Sequence, residues 1–378
     1  MRPPSCPPCF SLAAGFLLAA LSLSRGATEV CGTLHLAAEW TAAGSPYVVT
    51  GDIFIPRTSR LRIGPGVAVR FATPRPCPTE TDAPPQMDWS DSAYSGIKVE
   101  GTFYCLGSEE EPVVFQPLDS GDGRARWDGI RLTGQGASTA EISFSVFRRA
   151  NQAIYAEKSV FFVHNCLFED NNTGIHLEDR GDATVLNCNF IANRSAGIYV
   201  RKSNPRIANN LFVDNRSYGI WADGRPSIRI RNNAFWQNRE EHCFHCPFPA
   251  LEPGKGKPDK DTPSRGAHSD GLGNLIADPV FLDSPSHHAA LQADPRTDTP
   301  PHLIKDPALA RLEAKSRAKW QKPRAPFQPL GKGLYRLSSY STLIDAGHPG
   351  PDFRDRDGSR NDIGWHGGPL GRITKDPF

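Results

Sequence analysis

A six-residue pattern returns four times in the middle of this chain, at Val163–Phe168, Val185–Phe190, Ile207–Phe212 and Ile230–Phe235. Its members start 22, 22 and 23 residues apart, and three positions after each comes Asn171, Asn193, Asn215 or Asn238. A second pattern follows at Gly174–Leu177, Gly197–Val200 and Gly219–Ala222, with more diverged relatives at Gly96–Val99, Gly129–Leu132 and Ala153–Ala156. Ile142 and Phe147 open the coil before. A period near 22 is too short for a strand–helix–strand unit, which needs about 30 residues or more. The Leu-x-x-Leu-x-Leu signature of leucine-rich repeats is missing. The Ile-x-Leu/Val alternation marks strands with one face inward. The remaining solution is a coil of short strands whose equivalent side chains stack rung over rung.

Such a stack predicts columns. Phe147, Phe168, Phe190, Phe212 and Phe235 form an interior aromatic column, and Ile154, Ile175, Ile198 and Ile220 an aliphatic one. Two adjacent files, Asn165, Asn187, Asn209, Asn232 and Cys166, Cys188, Asn210, Asn233, are expected to turn inward and form amide ladders. Cys166 and Cys188 lie on adjacent rungs within disulfide reach, with unbridged core thiols as the alternative. These residues resemble the parallel β-helix repeat family, the superfold shared with pectate lyases and many secreted bacterial proteins. The resemblance implies an all-β chain: a right-handed, single-stranded parallel β-helix over residues 92–240. Residues 27–91 read as an N-terminal cap and first coils, with Thr73–Asp91 as an extruded loop flanked by Cys77 and Cys105, expected to be bridged. Residues 241–332 read as a Pro-rich loop insertion with one helix candidate at Ala308–Lys319, and 333–378 as a C-terminal cap. The latter carries an Asp-x-Asp-Gly-x-x-Asn-Asp-Ile-Gly segment similar to the C-terminal segment of secreted β-helix proteins.

The N-terminus has the layout of a secretory signal over residues 1–26: Arg2, then an apolar run from Phe10 to Leu23, then Ser24-Arg25-Gly26. That run is too short for a spanning helix, so no transmembrane segment is expected. The expected location is secreted or periplasmic. Loss of Cys6 and Cys9 leaves Cys31, Cys77, Cys105, Cys166, Cys188, Cys243 and Cys246; an odd count leaves at least one thiol unpaired within the chain. With 43 basic and 41 acidic residues there is no charged surface that argues for nucleic acid. Asn171, Asn193 and Asn215 begin glycosylation sequons, read as repeats of one turn position and not as acceptors.

Chemistry has to sit on the outward residues of the Gly-Ile-x-Val strands. They fall into two files: Lys98, Arg131, Tyr155, His176, Tyr199, Trp221 and Glu100, Thr133, Glu157, Glu178, Arg201, Asp223. With rungs about 4.8 Å apart, Tyr155 to Trp221 spans about 14 Å of mostly aromatic surface. Sugar rings stack on aromatics through their C–H faces, while Asp223 and its neighbours take hydroxyls. A polysaccharide or cell-envelope glycan is therefore the expected partner. A catalytic reading uses Glu157 and Glu178 on adjacent rungs, near the ~5–5.5 Å of a retaining glycosidase pair, with His176 as base and Arg201 beside them. The bland alternative is two solvated glutamates screened by Lys158 and Arg201.

Two further clusters suggest metals. His242, Cys243, His245 and Cys246 offer nitrogen and sulfur for Zn2+, with a Cys243–Cys246 disulfide, or one to Cys31, as the competing reading. Asp355, Asp357, Asn361 and Asp362 offer oxygens for Ca2+, with an ordinary Asp/Gly turn as the alternative. The leading expectation is a non-catalytic exported protein that binds extended polysaccharide or acts as an envelope scaffold. The alternatives are a polysaccharide lyase or glycoside hydrolase, and a periplasmic metal-handling protein.

Overall fold

The computed structural model describes residues 26–74, 77, 94–119, 126–134, 139–224, 226–246, 268–269, 272–281, 335–337 and 341–368. The expected signal peptide, the helix candidate Ala308–Lys319 and most of the Pro-rich insertion lie outside these residues. Among the described residues no helix is long and apolar enough to cross a membrane.

Each coil contributes three short strands, and these pair in parallel with their counterparts one coil away; His268–Ser269 instead pairs antiparallel with Leu275–Ile276. The first strands, from Ala37–Trp40 to Arg229–Arg231, form an eight-stranded sheet. The second and third strands, typified by Leu167–Glu169 and Thr173–Glu178, form two more ladders that hydrogen bonding joins into one 18-stranded sheet. Through the central coils the register repeats without slip: Val163 pairs with Val185, Phe168 with Phe190 and Ile175 with Ile198. The result is a parallel β-solenoid of about eight turns.

The interior follows from the alternation. Phe115, Phe147, Phe168, Phe190, Phe212 and Phe235 stack at 4.8–5.0 Å between centroids, within 10° of parallel. Trp127 continues the column towards Phe71 at 4.1 Å, and its indole N–H donates to the Arg148 carbonyl at 2.8 Å. Burying each ring removes a large apolar surface from water, and truncating one to alanine costs about 3–5 kcal/mol.

Where the second strand bends into the third, Asn171, Asn193, Asn215 and Asn238 form a buried amide ladder. Asn193 Nδ2 donates to the Phe168 carbonyl at 3.1 Å and to Asn215 Oδ1 at 2.9 Å, and its own Oδ1 accepts from Asn171. Asn171, Asn193 and Asn215 are wholly buried, so these sequons are turn positions without access for a glycan. A second ladder lies at the corner between first and second strands. Asn210 bonds Asn233, and Asn233 bonds Asn274, each at 3.0 Å through Nδ2. Cys166 and Cys188 occupy the same file as buried free thiols, each with Sγ 3.2 Å from a backbone carbonyl.

The neighbouring asparagine file departs from expectation. Asn165, Asn187, Asn209 and Asn232 are not an inward ladder: they adopt left-handed backbone conformations, φ 49–58°, which turn their side chains outward. Asparagine tolerates this conformation better than most residues. The C-terminal segment lies along this file on the flank of the stack. Asn165 Nδ2 donates to the Trp365 and Gly367 carbonyls at 2.8 and 2.9 Å. Asn187 Nδ2 donates to Asn361 Oδ1 and to the Asp362 carbonyl at 2.9 and 3.0 Å, and Asn209 Oδ1 accepts from His348 at 2.8 Å. A second apolar cluster forms outside the coils, where Leu343, Ala346, Ile363 and Trp365 cover Val146, Leu167, Ile191 and Leu211. The second ladder is thus buried on both faces.

Two boundaries also change. Within the Pro-rich insertion, Leu275–Ile276 returns to the stack and pairs in parallel with Ala234–Trp236, so Asn274 adds a rung to the corner ladder. Cys77 is bridged to Cys31 and not to Cys105. Cys105 faces the interior in register with Ile142, where its sulfur lies 3.2 Å from Ser145 Oγ and cannot reach an external loop. Burial pushes its thiol up to about 12.

Candidate functional site

Three third strands, Thr173–Glu178, Ala196–Arg201 and Tyr218–Asp223, carry glycine at their second position, where the backbone runs tightly against the phenylalanine column. A Cβ on Gly197 would meet the Gly219 carbonyl oxygen at 2.7 Å and the Phe212 ring at 2.8 Å. With that contact set, Ile198 and Val200 face the core while Tyr199 and Arg201 face out. Strand pairing then places Arg131, Tyr155, His176, Tyr199, Trp221 and Phe244 in one line across six rungs.

The outward rings are arranged unlike the interior ones. Tyr155–His176, His176–Tyr199 and Tyr199–Trp221 are 5.1, 4.4 and 5.1 Å apart but tilted by 44, 51 and 88°. Tilted rings do not sandwich one another, so they leave part of each face uncovered by the neighbour. Phe244 extends the line by one rung beyond the file read from the sequence. The Arg131 guanidinium lies 4.2 Å over the Tyr155 ring, a cation–π contact at one end. At the other end Tyr218 packs 5.1 Å from Trp221 and 5.2 Å from Phe244. Tyr218 stands in register with Ala196, Thr173 and Gln152; alternation alone does not place it outward, because residues two apart on a strand share a face and Ile220 points inward.

Beside the rings runs a charged edge. Glu157 and Glu178 are in register on adjacent rungs, as are Arg201 and Asp223. Each glutamate has its own cation. Lys158 Nζ lies 2.9 Å from Glu157, which also accepts from the Tyr155 hydroxyl at 3.3 Å. Arg201 engages Glu178 Oε1 through Nε and Nη2 at 2.6 and 2.5 Å. His176 is held on both sides: Gln152 Nε2 lies 2.9 Å from Nδ1, and Nε2 lies 3.4 Å from Glu178 Oε2. The amide–imidazole contact makes Nδ1 the acceptor and places the ring proton on Nε2, towards Glu178. Burial holds the His176 pKa below its ordinary value, only partly opposed by Glu178. Tyr199 donates to Asp223 Oδ2 at 2.9 Å; burial, then that carboxylate, push its phenol up to about 12.

The residues expected as metal ligands have partners within the protein. Cys243 and Cys246 are joined as a disulfide, so neither sulfur is available as a zinc thiolate. His242 Nδ1 lies 3.2 Å from Asn238 Nδ2, with burial pulling its pKa down to about 4, and His245 stacks on Phe244 at 3.8 Å. The calcium set is turned to the protein's own backbone: Asp355 accepts from the Asp362 and Gly368 amides, Asp362 from the Asp345 amide, and Asp357 from Ser359. Asn361 bridges the Phe353 carbonyl and Asn187. These residues knit the flanking segment onto the coils. Among the described residues no cluster of three or more His, Cys, Asp or Glu is arranged to hold a metal ion.

Residues 124–246 match the family model described as the right handed beta helix region. Over those residues the chain is a right-handed β-helix, and the coil stack extends on either side of them. Neither the comparison with curated proteins nor that with solved structures finds a match.

Proposed function

We propose that this is an exported protein that holds an extended polysaccharide along its third-strand ladder without cleaving it. One observation carries the reading: an unbroken line from Arg131 through Tyr155, His176, Tyr199 and Trp221 to Phe244, one residue per rung. An extended glycan offers ring after ring along its length, so a surface with one aromatic per rung can contact several sugars at once. The C-terminal segment covers a different face, that of the second strands, with its Trp365 and Ile363. Arg201 and Asp223 border the rings and can meet hydroxyls. Separate neutralisation of Glu157 by Lys158 and of Glu178 by Arg201 supports binding over hydrolysis.

The test is retention on immobilised acidic and neutral polysaccharides, with reducing ends and unsaturated products measured in the same samples. Retention that drops about tenfold in Tyr199→Ala or Trp221→Ala, persists in Glu178→Gln and releases no product is the expected result; about 1.4 kcal/mol corresponds to that factor. Depolymerisation that disappears in Glu178→Gln would instead make this face an active site. Absence of retention across the panel would sink the glycan reading.

A further inference from the structure

The Cys-x-x-Cys pair at the end of the coil stack remains outside the glycan reading. Cys243 stands in register with Ile220, at the last position of the aliphatic column, and Cys246 follows just beyond the strand Glu241–Phe244. Both sulfurs pack against the end of the interior core, yet both residues remain partly exposed. Between them His245 is exposed and its backbone is left-handed, φ 55°, which brings the two cysteines together. Among the described residues, the strand that carries Cys243 is paired in register only with Tyr218–Asp223.

Two contrasts single this pair out. First, the other bridge, Cys31–Cys77, spans 46 residues, whereas this one spans three. On a chain-entropy model the short loop contributes about half as much to the fold as the long one. It can open and close with little at stake for the coil stack. Second, the free thiols are closed to chemistry: Cys105, Cys166 and Cys188 are fully buried, and burial raises the Cys105 and Cys166 thiols far from the thiolate form. Thiol chemistry depends on access and on a thiolate, and among the described residues only the terminal pair combines access, a reversible loop and an imidazole next in sequence.

We propose that Cys243–Cys246 is a thiol–disulfide exchange site whose substrate class is an exposed dithiol. A substrate thiolate attacks the Cys246 sulfur, the Cys243–Cys246 bond breaks, and its electron pair leaves on Cys243, which takes a proton. The second substrate thiol, deprotonated to solvent, attacks its own mixed disulfide and releases Cys246, which is protonated in turn. The substrate becomes a disulfide and the protein a dithiol, with two electrons and two protons transferred.

The experiment treats the full chain with reduced and oxidised glutathione at graded ratios, then alkylates and maps each cysteine by mass spectrometry. Reversible labelling of Cys243 and Cys246, with near-ultraviolet dichroism unchanged and Cys105, Cys166 and Cys188 unlabelled until denaturant is added, is the expected pattern. The Cys243→Ser variant should retain glutathione as a mixed disulfide on Cys246, and the Cys243→Ser/Cys246→Ser variant should show neither effect while keeping its dichroism. A pair that stays oxidised at every ratio, or whose reduction abolishes the tertiary dichroism, overturns the proposal. Because polysaccharide retention is measured separately, either reading can fail without the other.

Discussion

Replacing Asn193 by alanine tests whether the amide ladder is a structural necessity. The side chain is wholly buried and makes four contacts. Its Oδ1 accepts from the Asn171 backbone N–H and from Asn171 Nδ2, both at 3.1 Å, and its Nδ2 serves the Phe168 carbonyl and Asn215 Oδ1. Not all of these partners are stranded by the change. Asn171 Nδ2 keeps the Phe147 carbonyl, and Asn215 Oδ1 keeps the backbone amide of residue 193. The Asn171 N–H loses its acceptor, whereas the Phe168 carbonyl, in register with Phe190, stays within the backbone ladder. At about 1–3 kcal/mol for a buried polar group left unpaired, the expected loss is roughly 1–3 kcal/mol. Asn172→Ala supplies the contrast: its only amide contact is an exposed 3.5 Å approach to Asn151, so it should move stability by no more than about 0.5 kcal/mol. Urea unfolding read by dichroism gives the midpoints, and hydrogen exchange at residue 171 reports the local opening. If Asn193→Ala unfolds within about 0.5 kcal/mol of the parent chain, the ladder is ornamental and the reasoning fails.

Asp355 has its pKa raised from 3.8 to about 7, chiefly by burial, so the docked form of the C-terminal segment binds a proton more tightly than the released form. Its contribution is therefore fully present below about pH 4 and declines as pH rises towards 7; hydrogen exchange over 341–368 should speed up across that window, and Asp355→Asn should flatten the trend. Asn187→Ala removes donors to Asn361 and to the Asp362 and Gly364 carbonyls, so limited proteolysis should cut within 341–368 while the coils stay intact; unchanged protection would contradict the latch. Burial keeps His176 neutral above its ordinary range, so polysaccharide retention should be flat between about pH 6.5 and 8, and a step there would assign His176 a protonated role.

The periodic residues made the coil legible. Phenylalanine and isoleucine recur once per turn, and a side chain that must face inward on every rung leaves its mark in the spacing whatever the flanking loops do. The same alternation placed Tyr155, His176, Tyr199, Trp221, Glu178 and Arg201 on one outward face, where strand pairing holds them. Three things were decided only in three dimensions. The direction of the Asn165 file depends on a left-handed backbone that residue identity permits without requiring. The cover over Leu167, Ile191 and Leu211 comes from residues some 150 positions later, and no local pattern records such a partner. The fate of the cysteines follows distance: Cys105 pointed into the core while Cys31 came within reach of Cys77, and Cys243 came within reach of Cys246. Periodicity encodes what each rung shares with the next; contacts made once, between distant segments, have no period to read.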